Sequence, residues 1–398
     1  MNEKTKELKN KIIEYGLPLL TEIPRFLYNH KLGVFLVGFG SSVAVLYHKM
    51  RNSRKNQMIV VSKEKVAQFF EKSQQFSNNT VQFIISNFLI QKKILDEYID
   101  ITSISLKIRC ASTPEEKKMF TDELGYSIIS RLYTTLYTIP LILLLNRIQI
   151  NLIGKYCYLD YIIYQTEENR LINEKDEKTF ISFSNYLFDY KFRYFIEMIK
   201  SEVTDELKNW KLDQQSTYEG ILMLLLRIRN RFESKKILLT LNDKKSEIGI
   251  NEKSMLNYLI PTETDQVRYD ETIRHLLDEV RNIFEDDKFY RVLSDSINTS
   301  FLWFTKSLRT VFESSSPQIP EVIESNPYVP FEIEIPKPLN MLHHLQLLPK
   351  INKMVNEVLS PDSTIIQQII QNSSDQPAFQ EFNYKILTNN INFNQLKF

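Results

Sequence analysis

RLYTTLYTIPLILLLNRIQINLIGKYCYLD, residues 131–160, decides the fold. Its apolar residues do not keep to one face of a helix, and Leu141–Leu145 form an unbroken run that could be mistaken for a membrane span. A span needs about 20 apolar residues. Pro140, Asn146, Arg147, Gln149 and Asn151 interrupt this one too soon. The wider segment from Phe120 to Tyr164 is the most apolar part of the body of the chain. A helix apolar on nearly all sides belongs in the middle of a bundle, where Arg147 and Gln149 hydrogen-bond to neighbours.

Outward from this segment the pattern stays helical. Upstream, Val66, Phe69 and Phe70, then Val81, Ile84, Ile85, Phe88 and Leu89, recur at helical spacing, which predicts two helices or one bent helix interrupted at Asn78–Asn79. Downstream, Ile273, Leu276, Leu277, Val280, Ile283 and Phe284 form one amphipathic stripe, and Val292, Leu293, Ile297, Phe301, Phe304 and Leu308 a second, with Glu285–Lys288 between them. Six of the 14 prolines fall in residues 312–338, which read as a surface loop. Helical pattern returns over Leu339–Leu359, and residues 372–398 are rich enough in Asn and Gln that little order is expected there. The bundle is therefore placed at residues 62–371.

Composition narrows the function. The 398 residues are 43% hydrophobic and 12% aromatic, enough for a substantial core. With 50 basic against 49 acidic residues there is no net field to hold a nucleic-acid backbone, and no nucleic acid is expected as a partner. Cys110 and Cys157 are the two cysteines, which points to a reducing, cytosol-facing compartment. Eight glycines leave little material for phosphate loops or many-stranded sheets.

Near the amino terminus, Leu32–Tyr47 is uncharged, and its length falls just short of about 20 residues, so a spanning helix needs snorkelling ends. Leu32, Phe35, Leu36, Phe39, Val43 and Leu46 supply its apolar surface. Lys49, Arg51, Arg54 and Lys55 open a basic linker over residues 48–61 and place the body in the cytosol. Residues 1–31 contain Pro18 and Pro24 and lack a secretory cleavage pattern.

No catalytic constellation stands out. His30, His48, His275, His343 and His344 lack recognisable partners, and the adjacent pair His343–His344, which diverges around a helix where a helical zinc site wants i, i+4 spacing, reads as surface. Gly38 and Gly40 lie within the apolar anchor, not between a strand and a helix, and no GxxxxGK[ST] run occurs. Asp286–Asp287 reads as a solvated pair. An enzyme, a metal and a cofactor are not expected.

Arg131, Tyr137, Arg147, Gln149, Asn151, Gly154, Tyr156, Tyr158, Leu159 and Asp160 keep a spacing that resembles the most distinctive stretch of the peroxin-3 family, RxQxNxxGxYxYLD preceded by an arginine and a tyrosine. His275–Phe301 is similar to that family's late helix pair, and a short anchor before a basic cluster matches its layout. The resemblance implies an all-α, elongated helical bundle with one N-terminal transmembrane helix, single-pass in the peroxisomal membrane, with residues 1–31 on the matrix side. It implies a docking receptor for peroxin-19, whose amino-terminal amphipathic helix lies in a hydrophobic groove while it carries membrane-protein clients. It also allows the alternative of a tether for cytoskeletal or autophagy adaptors. The family's groove tryptophan corresponds to Phe120, which keeps the aromatic anchor and loses the indole donor. Leu106 and Lys107 match a leucine–lysine pair, and Lys117 and Leu124 complete the implied groove.

Overall fold

The computed structural model describes residues 63–163, 171–211, 214–234, 255–314 and 341–389. Within them the protein is nearly all-α, as expected. The anchor at Leu32–Tyr47, the basic linker and most of the proline-rich segment lie outside the described residues.

The organising element is the helix built on the central segment. In chain order, α1 spans Lys63–Ile85, α2 Ile101–Cys110 and α3 Pro114–Ile163, a helix of 50 residues. Every residue from Ser127 to Lys155 in α3 is buried. Among the described residues α3 is the helix long and apolar enough to cross a membrane, yet its most apolar stretch lies entirely inside the protein. It is a core helix. Pro140 stays within it without ending it.

The other long helices surround this spine: α4 Glu174–Ser182, α5 Phe192–Leu207, α6 Tyr218–Glu233, α7 Glu271–Phe284, α8 Asp287–Ser314, α9 His344–Val358, α10 Ile365–Ser374 and α11 Pro377–Thr388. Local chemistry starts several of them. The side chains of Asp100, Asn173 and Thr217 accept from the backbone N–H of Ser103, Asp176 and Gly220 and so cap α2, α4 and α6. The stripes read at 273–284 and 292–308 become the buried faces of α7 and α8. A two-residue antiparallel pairing, Gln215 with His343 and Ser216 with Leu342, ties the start of α6 to the start of α9.

Four expectations are corrected. α1 runs unbroken through Asn78–Asn79, because the Asn78 side-chain Oδ1 accepts from Arg147 at 2.6 Å instead of capping its own helix. The real break comes later, in a π-turn at Ser86–Gln91 followed by Lys93 at φ 50°. There Phe88 stacks at 4.5 Å on Phe188 of a second π-turn, Leu187–Lys191. The bundle does not stop at Gln371: α10 and α11 continue to Thr388, with Phe379, Phe382, Asn383, Ile386 and Leu387 buried. Phe312 is a core residue of α8, not the start of a loop. His344 is 1% exposed, stacked on Trp210 at 4.0 Å, with Nδ1 2.6 Å from the Lys211 carbonyl and Nε2 2.6 Å from Ser216 Oγ. Of the two adjacent histidines only His343 is at the surface.

Candidate functional site

The residues of the implied groove converge on the hairpin of α2 and the first turns of α3. A reciprocal capping box builds the turn. Thr113 Oγ1 accepts from the Glu116 N–H at 3.1 Å, and the Glu116 carboxylate accepts from the Ser112 N–H at 2.9 Å and the Thr113 N–H at 3.3 Å. Pro114 occupies the first helical turn, where its missing N–H costs nothing.

On this hairpin Lys107 Nζ sits 5.7 Å from the centroid of the Phe120 ring, within cation–π range. Phe120 is half-buried and Leu106 is 54% exposed, while Lys107 and Lys117 lie in solvent. Lys117, Phe120 and Leu124 recur at i, i+3 and i+7 and share one face of α3, with Leu124 half-buried against the core. The expected residues thus split into an exposed rim and an apolar floor. Met119, at 57% exposure, was missed; it is an exposed large apolar side chain next to Phe120, and composition gives no sign of that. Arg109 and Lys118 add exposed positive charge. Below the hairpin, burial and then the charge of Asp122 raise the pKa of the Tyr126 phenol.

The patterned positions further along α3 are not on this surface. They lock the spine to its neighbours. Arg131 pairs with Asp96 and donates to Asn356 Oδ1 at 3.2 Å. The Tyr137 hydroxyl donates to Glu233 at 2.9 Å. Gln149 donates to the Phe180 carbonyl at 2.6 Å and accepts from Ser184, which also takes a bond from Asn146 at 3.1 Å. Asn151 accepts from Gln74 at 3.1 Å and donates to Asn383 at 2.9 Å. Tyr156 donates to Glu279, which also pairs with Lys155 at 2.8 Å. The expectation that Arg147 and Gln149 bond to neighbouring helices is met. Among the described residues no group of His, Cys, Asp and Glu is arranged to hold a metal ion.

The family model described as Peroxin-3 matches residues 47–389, which takes in the hairpin, the spine and both terminal helices. The chain belongs to the Peroxin-3 family. It is 44% identical to peroxisome biogenesis factor 3 of Dictyostelium discoideum over 95% of each chain. It is 21% identical to human peroxisomal biogenesis factor 3, over 73% of this chain and 75% of the human one. It is 23% identical to peroxisome biogenesis protein 3-1 of Arabidopsis thaliana, over 56% of this chain and 66% of the plant protein. Peroxin-3 proteins are peroxisome biogenesis factors, and membership carries that role and an association with peroxisomes to this chain.

Proposed function

We propose that this member of the Peroxin-3 family is a single-pass docking receptor of the peroxisomal membrane, its body in the cytosol, and that the α2–α3 hairpin receives the amino-terminal helix of client-loaded peroxin-19. The observation that carries the reading is the hairpin surface itself. Leu106 and Met119 are each more than half exposed beside the half-buried ring of Phe120, and Lys107, Arg109, Lys117 and Lys118 surround them. An amphipathic helix laid on such a surface gains about 25 cal/mol for each Å² of apolar area removed from water. The basic rim steers an acidic-flanked peptide and raises its on-rate more than its affinity. No chemistry is asked of the site: the receptor holds its partner near the bilayer and the client is handed over.

Fluorescence anisotropy of a labelled peroxin-19 amino-terminal helix, titrated with the full chain in detergent micelles, tests this. Phe120→Ala is expected to weaken binding about 30-fold, as loss of a central aromatic anchor does elsewhere. Lys117→Glu is expected to slow association and flatten its salt dependence. Binding indifferent to both substitutions would move the site off the hairpin, and absence of binding by the unaltered chain would remove the docking role.

A second reading, a tether for cytoskeletal or autophagy adaptors, draws support from exposed apolar side chains on other helices, Met223 and Leu226 on α6 and Leu302 on α8. An adaptor seated there would bind together with the peroxin-19 helix. Mutual exclusion in a competition titration would count against separate surfaces.

A further inference from the structure

The Arg147 guanidinium is buried in the core, and no carboxylate among the described residues pairs with it. The residue is 1% exposed, and its NH2 group donates to two neutral acceptors, Asn78 Oδ1 at 2.6 Å and Ser374 Oγ at 3.1 Å. Nε and NH1 are buried without a hydrogen-bond partner, and the Phe379 ring lies 5.8 Å from Cζ. Burial holds its pKa down to about 9, so the group is still cationic at neutral pH. A buried charge is normally paired; among the described residues this one is not.

Asn78 relays the imbalance outward. Its Oδ1 is taken by Arg147 and by Ser374 Oγ at 3.0 Å, so its amide nitrogen must turn the other way, where it donates to Gln371 Oε1 at 3.3 Å. That side is a cleft of about 100 Å³ between α1 and α10, walled by Gln75, Asn78, Asn79 and Gln82 of the first helix and Gln367 and Gln371 of the second. No charged side chain lines it. Asp375, which takes Gln371 Nε2 at 2.8 Å, is exposed and does not line the cleft. Pockets for whole small molecules run to about 300–1,000 Å³, so this cleft admits a functional group and not a cofactor. Its walls offer neutral N–H donors, and an uncompensated positive charge lies behind one of them.

We propose that the α1–α10 cleft is a receptor for a carboxylate, held by the side-chain amides of Asn78, Gln75, Gln82 and Gln367 with the charge of Arg147 behind Asn78. The carboxylate can belong to a free small acid or to a glutamate or aspartate of a bound peptide; the chemistry of recognition is the same. The site is distinct from the hairpin and does not depend on docking there.

Thermal unfolding of the full chain in detergent, with sodium acetate against sodium chloride at equal ionic strength, tests it. Acetate is expected to raise the midpoint saturably by about 2 °C or more above chloride. Gln367→Glu leaves every bond of Arg147 intact and makes the cleft negative, so it should abolish that rise. Asn78→Asp supplies the missing counter-charge; it should unfold at a higher temperature than the unaltered chain and also cease to respond. No acetate-specific rise in the unaltered chain overturns the proposal, as does a rise that survives both substitutions. A rise with inorganic phosphate but with no carboxylate overturns the ligand class. Where acetate does act, tighter binding of N-acetylglutamate amide assigns the natural source to a peptide side chain, and equal binding assigns it to a free acid.

Discussion

Arg131 shows how a polar residue of α3 is used. Its side chain is 9% exposed, whereas its partner Asp96 is 45% exposed, so the two ends of the pair are not equivalent. Removing the arginine empties a buried volume and frees Asn356, and Arg131→Ala is expected to cost about 2 kcal/mol in urea unfolding. Asp96→Asn keeps an acceptor in place and should cost less than about 1 kcal/mol. Tyr133 and Tyr137 carry the clearest pH signature. Burial, followed for Tyr137 by the charge of Glu233, pushes both phenols well above 10. A folded-state pKa raised above the unfolded value means stability that is complete below about pH 10 and lost as pH climbs beyond it. Alkaline titration followed at the tyrosinate absorbance should therefore show these two rings ionising only as the protein unfolds, and Tyr133→Phe with Tyr137→Phe should remove that late component.

At the scale of the element, the hairpin that carries Phe120 rests on a few local bonds. Thr113→Ala removes one arm of the capping box and is expected to cost about 1 kcal/mol. Hydrogen exchange at residues 115–120 should accelerate before the rest of the protein is affected, because the first turns of α3 are exposed while Ser127–Lys155 are buried. Lys93 holds a left-handed conformation at φ 50°, so Lys93→Gly should be neutral or stabilise by up to about 1 kcal/mol, and Lys93→Val should destabilise. Elements were legible where a stripe had to be buried. α7, α8 and the all-round apolar α3 follow from periodicity because apolar area drives their placement. Misreadings came from polar side chains whose partners are far away in sequence. Asn78 looked like a helix stop but bonds to Arg147, and the amide-rich tail looked unstructured although Asn383 bonds to Asn151 inside the core. Phe120 was singled out through family likeness alone, since nothing in its local pattern separates a groove aromatic from a core one.

For the whole molecule, the buried network makes one cooperative body of helices that are distant in sequence. Asn151 joins α1, α3 and α11, and Glu279 joins α3 to α7. A chain beginning at residue 56, without the expected anchor, should remain helical by circular dichroism, stay monomeric, and bind the peroxin-19 helix within about twofold of the full chain, because the turn that carries Phe120 is built from bonds among Ser112, Thr113 and Glu116. Aggregation or loss of helicity would show that the anchor does more than tether.

The long spine also acts as a ruler. α1 starts at Lys63, the first described residue after the expected anchor in sequence, and runs antiparallel to α3, with Gln74 against Asn151 and Asn78 against Arg147. Phe120 stands 31 positions up the same helix from Asn151. At a rise of 1.5 Å per residue this is roughly 45 Å. A helix docked there, on the proposed reading, would lie about that far along the spine from the Gln74–Asn151 contact. A connection that spans that length of spine needs at least about 13 extended residues. With a shorter connection, a partner held at the hairpin could not reach past the Gln74–Asn151 contact without letting go.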